Sequence, residues 1–192
     1  MTNQGKNAID LVLAESLKEL AVTRPIDKIT IKEITDRAGV IRPTFYNHFQ
    51  DKYELLEWIV EKELMEPAMP LFDNGMLREG LTFMLTAMER EKSFYCKAAR
   101  LEGQNSFPEV LKKKVAHTVL KYFDMGKLKE QMPYAWLTPE LIADFYAQAI
   151  CHVAIEWAKG GMAIPIAELV EVYLLLIQRS IIDLLEDMQN IT

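Results

Sequence analysis

The sequence predicts an all-α fold of about nine helices, and three observations carry that prediction. Apolar residues recur at helical spacing along most of the chain. Ser, Thr or Asp followed three residues later by Glu, a pattern typical of helix starts, occurs several times. The sequence contains no alternating apolar and polar run of the kind that indicates a half-buried strand. With 192 residues, half of them apolar, the chain is long enough to bury a substantial core.

The first two helices lie near the N-terminus. The first has an apolar stripe at helical spacing that consists of Ile9, Val12, Leu13, Leu17 and Leu20. After a break at residues 24–25, Thr30 and Glu33 form a capping-box pattern that predicts a second helix over residues 30–38. Gly39 is suited to end this helix, because glycine readily adopts the left-handed conformation of a helix C-cap.

A third short helix is predicted to start at Arg42–Pro43. Proline is tolerated there because the amides of a first helical turn have no partner within the helix. Phe45 and Phe49 are four residues apart and are expected to share the buried face of this helix.

The rest of the chain also reads as helical. Asp51 with Glu54 predicts the start of a fourth helix, which we expect Pro67 and Pro70 to end. A loop is predicted over residues 124–137, which contain Gly126, Pro133, Tyr134 and Trp136. The remaining predicted helices lie near residues 75–91, 93–102, 106–123, 138–159 and 165–188.

The charge distribution separates two parts of the chain. The net charge is −6, which taken alone argues against a nucleic-acid-binding protein. Residues 1–50, however, hold seven Lys/Arg and six Asp/Glu, whereas residues 51–192 hold 15 and 22. The acidity therefore lies in the C-terminal part, and the N-terminal part remains compatible with DNA binding.

The cysteines and histidines do not indicate a metal, a disulfide framework or another cofactor. Cys96 and Cys151 have no ligand spacing, and His117 and His152 have no His, Cys or carboxylate at a metal-binding interval. The N-terminus does not resemble a secretory signal, and the apolar run at residues 172–177 is far shorter than a membrane span. We therefore expect a cytoplasmic protein that does not contact a membrane.

Two short helices joined by a tight glycine-containing turn and braced by a first helix indicate a helix-turn-helix. Arg42 is the expected base reader, because a guanidinium can bond guanine O6 and N7 at once. With Phe45 and Phe49 turned inward, the positions of the third helix that can face outward to phosphates and base edges are Arg42, Thr44, Tyr46, Asn47 and His48.

The segment ITIKEITDRAGVIRPTFYNHFQDKYELL, residues 29–56, resembles the DNA-binding signature of the TetR (tetracycline-repressor-like) family. The resemblance implies an all-helical homodimer with a three-helix DNA-binding domain, residues 1–50, and a helical effector-binding and dimerisation domain, residues 51–192. The chain departs from the commoner family pattern at Ile41 and Pro43, which bears on the operator sequence rather than on the fold. Positions that resemble phosphate or groove contacts of the family are Thr30, Thr44, Tyr46, His48 and Lys52.

The last two long helices resemble the pair that usually forms a four-helix dimer bundle in the TetR family. Residues 172–177 are apolar on almost every side of the helix. This is more apolar surface than a surface helix of a monomer exposes, so we expect one side to contact a partner. Complete burial within one subunit is the alternative. The expected dimer interface consists of Phe145, Ala149, Val153, Tyr173, Ile177 and Ile181.

Methionines and aromatic residues of the C-terminal part suit an apolar effector cavity, since thioethers adapt to a ligand and flat rings pack against it. The alternative interpretation is that these residues are ordinary core residues and contact no ligand. The candidate residues are Met84, Met88, Tyr95, Tyr122, Trp136 and Trp157. The basic run at residues 112–114 is expected to be a solvated helix face.

The sequence lacks the nucleophile-elbow, P-loop and zinc-hydrolase motifs, so we do not expect an enzyme. The expected function is a ligand-responsive repressor that binds a palindromic operator as a homodimer. The alternative is an activator, or an interaction module, controlled by a protein partner, because the chain is also loosely similar to the family subgroup that contains activators of dihydroxyacetone-kinase operons. The expected partners are double-stranded DNA, a second copy of the chain, and a small-molecule effector or protein co-regulator.

Overall fold

The computed structural model describes residues 3–122, 134 and 136–178, and this part of the chain is all-α. A π-helical turn, Glu61–Met65, joins the fourth helix to the fifth, so the described residues form nine continuous helices, as predicted. The segments are α1 (Asn3–Thr23), α2 (Ile31–Ala38), α3 (Arg42–Tyr46), α4 (Lys52–Val60), α5 (Glu66–Asp73), α6 (Leu77–Arg90), α7 (Lys92–Ala98), α8 (Phe107–Tyr122), α9 (Pro139–Lys159) and α10 (Ile166–Gln178).

The first three helices pack together: α1 contacts α2, and α2 contacts α3. The hydroxyl of Thr30 accepts a hydrogen bond from the backbone N–H of Glu33 at 3.3 Å. The Glu33 carboxylate accepts one in return from the backbone N–H of Thr30 at 2.9 Å. Gly39 ends α2 in the left-handed conformation with φ 68°. The predicted capping box and the predicted glycine C-cap are both confirmed.

The two prolines expected to end the fourth helix do not end it, and that prediction is wrong. In the π-helical turn Glu61–Met65 the backbone N–H of Glu66 donates to the carbonyl of Glu61, five residues back. Pro67 follows this wider turn directly, at the start of α5, and the helix tolerates it there. Pro70 lies inside α5, and the helix continues past it to Asp73.

The C-terminal helices form a bundle that shares its core with the N-terminal ones. α8 packs along α9, α6 contacts α5 and α10, and α7 contacts α1. Lys97 in α7 donates to the carbonyl of Val22 at the end of α1 at 2.5 Å. One cluster of buried apolar side chains extends from Leu13 in α1 to Leu174 in α10. The N-terminal helices are therefore fixed against the bundle by packing.

Several predicted boundaries differ from the structure. The helix expected over residues 93–102 is shorter, because α7 ends at Ala98. The loop expected at residues 124–137 lies mostly outside the described residues, and so does the end of the last helix beyond Gln178.

Candidate nucleic-acid interface

Helix α3 is a single turn that two aromatic anchors hold in place. Phe45 is fully buried and Phe49 almost so, and their ring centroids lie 5.9 Å apart. Trp58 of α4 packs edge-on against Phe49 at 6.2 Å. The inward orientation predicted for both phenylalanines is confirmed, and it directs the opposite side of α3 to solvent.

Arg42 and Tyr46 lie together on that exposed side. Nη2 of Arg42 donates to the hydroxyl of Tyr46 at 3.3 Å, and the guanidinium carbon lies 6.0 Å from the centre of the Tyr46 ring. A guanidinium that lies along an aromatic ring has less rotamer freedom to lose when it binds a base. Asn47 is also exposed and Thr44 is half-buried. These four positions could reach a DNA groove.

Arg42 differs from Lys32 and Arg37 in having a neutral partner. Lys32 pairs with Asp36 at 2.7 Å, and Arg37 pairs with Glu19 at 2.5 Å. The guanidinium of Arg42 instead bonds a phenolic hydroxyl. Its charge is therefore available to a polyanion without first breaking an ion pair.

Thr30 stands at the exposed N-terminus of α2, where backbone N–H groups and the helix dipole favour an anion. Its capping partner Glu33 is held ionised. Hydrogen bonds from the Thr30 backbone N–H, from Arg24 and from the Thr30 hydroxyl lower the pKa of Glu33 to about 2.

Lys52 connects the start of α4 to the turn that precedes α2. Its ammonium donates to the carbonyls of Asp27 and Ile29, each at 2.7 Å. Burial lowers the pKa of Lys52 below its ordinary value. An ammonium has three donors, so one N–H remains for a phosphate after these two bonds.

The structure corrects the predicted orientation of His48. The side chain was expected to face outward with its neighbours, but only 3% of it is exposed. Its Nδ1 lies 2.6 Å from Oδ1 of Asp10 in α1, a carboxyl group of which only 6% is exposed. The ring faces α1 because a carboxylate lies there to receive it, and no local pattern around residue 48 signals this.

A second buried charge of α1 was also missed. The Lys18 side chain is 6% exposed, and its ammonium lies 2.7 Å from both Glu15 and Glu63 and 3.7 Å from Glu91. The hydroxyl of Tyr95 donates to Glu63 at 3.3 Å. Since Lys18 lies in α1 and Glu63 lies in the π-helical turn, this ionic cluster joins α1 to the helices that follow α3. Lys18 does not belong to the apolar stripe of the first helix, and no pattern in the sequence indicates that it is buried.

An apolar cavity of about 220 Å³ lies within the C-terminal bundle. Met84 and Met88 line it, together with side chains of α8, α9 and α10. Its wall contains few polar groups, among them Thr118 and Cys151. Burial raises the pKa of the Cys151 thiol to about 12, so this wall is uncharged near neutral pH.

Three aromatic residues expected in the cavity lie elsewhere. Tyr95 is buried against Glu63 and the ring of Phe107, at a centroid distance of 5.5 Å. Trp157 is a core residue whose indole N–H donates to the carbonyl of Ile164 at 2.8 Å. Trp136 is exposed and stacks on Tyr134. The side chain of Tyr122 lies outside the described residues.

The residues expected at a dimer interface divide into two groups. Phe145 is 68% exposed, Ala149 and Ile177 are exposed, and Val153 is half-buried. Tyr173 contradicts the prediction, because it is buried within the subunit and its hydroxyl donates to the carbonyl of Ile150 at 2.7 Å. Ile181 lies outside the described residues. Further large apolar side chains exposed on α9 and α10 are Leu141, Tyr146, Val172, Leu175 and Leu176.

Two family models match the chain. The model for bacterial regulatory proteins of the tetR family matches residues 15–59, which include the C-terminal part of α1, all of α2 and α3, and most of α4. The model for the transcriptional regulator C-terminal region matches residues 76–179, more than half of the chain.

The chain belongs to the TetR family.

Two named relatives agree with this assignment. The chain is 27% identical over 148 residues to the HTH-type dhaKLM operon transcriptional activator DhaS of Lactococcus lactis subsp. lactis (strain IL1403), which covers 76% of each protein. A solved structure of dihydroxyacetone kinase operon activator DhaS superposes with a TM-score of 0.60 at 24% identity, over 88% of this chain and 95% of that one.

A further TetR-family structure shares the fold. It is the repressor FadR of Thermus thermophilus, solved in complex with lauroyl-CoA, with a TM-score of 0.53 and 21% identity over 87% of this chain and 93% of that one. The relatives of this TetR-family chain thus include an activator and a repressor.

Membership in the TetR family makes the protein a DNA-binding transcriptional regulator with a helix-turn-helix, not an enzyme. Among the residues that the structure describes, no helix combines the length and apolar character that a membrane span requires.

Proposed function

We propose that the protein is a homodimeric repressor that binds a palindromic operator through α3 and releases it when an apolar small molecule occupies the cavity of the C-terminal bundle. The observation that carries this proposal is the cavity itself. Its volume of about 220 Å³ exceeds the roughly 150 Å³ of an apolar cavity that takes up benzene. Two adaptable methionines, Met84 and Met88, line it.

In this proposal α3 supplies the base contacts and its surroundings supply the phosphate contacts. Arg42 bonds guanine, and Thr44, Tyr46 and Asn47 contact the groove or the flanking backbone. Thr30 at the N-terminus of α2 contacts phosphate through a hydroxyl. Lys52 does so through the N–H that its two carbonyl partners leave free.

A second copy of the chain is proposed to cover the apolar faces of α9 and α10. Phe145 and Ile177 represent those faces, and a monomer would leave them in water. A two-fold symmetric pair presents two α3 helices to successive major grooves, which calls for a palindromic operator. Size-exclusion chromatography with light scattering tests this directly. Phe145→Glu should shift the dimer towards monomer, whereas Phe83→Glu, on exposed α6 surface, should not.

The DNA-binding assignment is tested with Arg42→Ala, Lys52→Ala and a matched control, Lys113→Ala, on the exposed surface of α8. Fluorescence anisotropy across a salt series would use a duplex that the wild-type protein selects from a random pool, and a scrambled duplex. If each subunit neutralises three or four phosphates, the wild-type slope of log K against log salt is about −5 to −7.

The three variants should differ in how they change affinity, selectivity and salt dependence of DNA binding. Arg42→Ala is expected to weaken binding to the selected duplex more than to the scrambled one, because a base contact is lost. Lys52→Ala should weaken both and make the salt slope shallower by about 1 for each phosphate contact removed. Lys113→Ala should change neither. Equal effects of Arg42→Ala on both duplexes would contradict its assignment as base reader.

The ligand-responsive step is tested by thermal-shift screening of apolar metabolites. A ligand at 100 times its dissociation constant adds about 2.7 kcal/mol to the free energy of unfolding. The matched variant Ala154→Leu places extra volume in the cavity wall. It should abolish the shift, and the ligand should release the wild-type protein from its duplex.

A second candidate function is an activator controlled by a protein partner. The similarity to the Lactococcus lactis activator favours it. Exposed aromatic side chains, Tyr134 and Trp136, offer surface for a protein contact. Transcription in vitro from a promoter carrying the selected duplex separates the two functions. A repressor lowers the transcript when added alone, whereas an activator raises it, alone or with its partner.

A further inference from the structure

Packing at two apolar anchors constrains the rotation of α3 less sharply than a directional bond does. Residues Arg42–Tyr46 make little more than one helical turn. Its two anchors, Phe45 and Phe49, are buried by apolar contacts, which are non-directional. These anchors and the contact of α2 with α3 hold α3 in place, but apolar contacts tolerate a small rotation of so short a helix. A directional contact is needed to select one rotation.

The contact between His48 and Asp10 has that direction. Nδ1 of His48 lies 2.6 Å from Oδ1 of Asp10. An ionised Asp10 can only accept hydrogen bonds, which assigns the proton of this contact to Nδ1 of His48. Charge-assisted bonds of this kind are short and strongly oriented. Both side chains are more than nine-tenths buried, so water does not compete for the bond. His48 follows α3 by two residues, whereas Asp10 lies 38 residues earlier, in α1.

We infer that Asp10 and His48 form a positioning pair, which sets the rotation of α3 on α1 and thereby the sequence specificity of DNA binding, without touching DNA. The inference does not depend on the cavity or on the sign of regulation. It assigns a role to Asp10, and it replaces the DNA contact that the family resemblance implied for His48.

The geometry explains why a small rotation of α3 would reduce the preference for the selected duplex more than it reduces binding to unrelated DNA. Side-chain tips lie about 6 Å from the axis of a helix, so a rotation of about 20° displaces them by roughly 2 Å. Such a displacement removes a paired bond from Arg42 to a base edge. Phosphate contacts tolerate it, because they depend mainly on charge and not on a fixed donor pattern. Binding to unrelated DNA should therefore be almost unchanged.

Two substitutions at position 48 separate positioning from contact. The amide nitrogen of asparagine occupies the place of Nδ1, whereas that of glutamine extends towards the place of Nε2. His48→Asn keeps the donor to Asp10, and we expect its preference for the selected duplex over the scrambled one to stay within about threefold of wild type. His48→Gln loses that donor, and its preference should fall about tenfold or more, a loss of the size that one mismatched base pair causes.

The salt series supplies the independent readout. Neither variant should change the slope of log K against log salt, because no phosphate contact is removed. The inference is overturned if the order reverses, with His48→Gln retaining and His48→Asn losing the preference. A slope shallower by about 1 per lost contact in His48→Asn would overturn it too, since that result marks His48 as a direct phosphate ligand.

The partner residue provides a second test. Asp10→Leu removes the acceptor at similar volume and should reduce the preference for the selected duplex as His48→Gln does. Asp10→Asn keeps an acceptor, and its preference should stay within about threefold of wild type. All comparisons are made at a temperature at which circular dichroism shows each variant folded. A lower melting temperature with an unchanged preference would mean a merely structural pair and would refute the inference. If Asp10→Leu does not fold, the two His48 variants decide the question.

Discussion

Replacing Lys18 by methionine tests whether the buried ionic cluster stabilises the link between α1 and the π-helical turn. Methionine keeps the length and the packing of the lysine stem but removes the ammonium that lies 2.7 Å from Glu15 and from Glu63. Breaking a fully buried pair costs about 3–5 kcal/mol, mostly because the partner charge is left unpaired.

The structure reduces that figure. Glu15 is 58% exposed and would regain water, whereas Glu63 is 24% exposed and would do so only in part. We therefore expect Lys18→Met to lower the free energy of unfolding by about 2–3 kcal/mol. For a chain of this size that corresponds to a fall of roughly 4–12 °C in melting temperature.

The pH dependence follows from the protonation of Lys18. Burial disfavours its charged form, but the hydrogen bonds from Lys18 to Glu15 and Glu63 and their charges outweigh burial, so the pKa of Lys18 is raised. A raised pKa gives stability that is fully present below the ordinary lysine value and is lost as pH rises through the folded-state value. The difference between wild type and variant should therefore be constant from pH 7 to about pH 9.

The assay is thermal denaturation followed by circular dichroism at one fixed protein concentration, because association makes the melting temperature depend on concentration. Lys62→Met is the matched control: it removes a half-exposed lysine that pairs with Glu66 one turn along the same helix, and should cost less than about 0.5 kcal/mol. Adding Glu63→Gln to Lys18→Met should recover part of the loss. A Lys18→Met protein as stable as wild type, or more stable, would refute the reasoning.

Three smaller predictions concern single positions. Thr30→Ala removes the α2 cap and should destabilise the protein by about 1 kcal/mol in the same melting assay, whereas Thr30→Ser should stay close to wild type. Gly39 has φ 68° and open space around it, so Gly39→Ala should cost about 1 kcal/mol from backbone strain alone, and Gly39→Asn less. Because burial raises the pKa of Cys151 to about 12, a disulfide reagent at pH 8 should modify half-buried Cys96 quickly and Cys151 only after unfolding. Equal reaction rates of the two thiols would contradict the burial of Cys151. The folded state also keeps the Cys151 proton that the unfolded chain releases near pH 9. The free energy of unfolding should therefore decrease as the pH rises from about 9 to 12.

The helix-turn-helix was predictable because its signals are local. Thr30 with Glu33, Gly39 at the end of α2 and proline in the first turn of α3 each act within one helical turn. Phe45 and Phe49 point inward because four residues make one turn of a helix. The exposed positions Arg42, Tyr46 and Asn47 then follow by elimination.

The same elimination failed at His48 for a physical reason. Residues that do not belong to an apolar stripe are assigned to solvent unless a distant partner is known. The partner Asp10 is polar too, so neither residue marks the contact in a hydrophobic pattern. Lys18 and Glu63, 45 residues apart, repeat this situation.

Residue types alone could not locate the cavity or the exposed apolar faces of α9 and α10. Met84, Tyr95 and Trp157 were all candidates for the cavity from the sequence, but of these three only the methionine lines it. Tyr173 and Ile177 both lie in α10, yet one is buried within the subunit and the other is exposed. Whether an apolar residue faces a core, a cavity or solvent depends on which helix lies opposite, and helical periodicity does not contain that information.

The sequence by itself determined the fold class, the helix-turn-helix and the exposed side of its third helix, since periodicity, caps and turns operate over a few neighbouring residues. Only the tertiary structure decided that Pro67 lies within a continuous helix, that His48 turns to Asp10, and that Lys18 is buried. Each of these depends on free energies between residues far apart in the chain, because a buried charge is tolerated only where folding brings a partner to it.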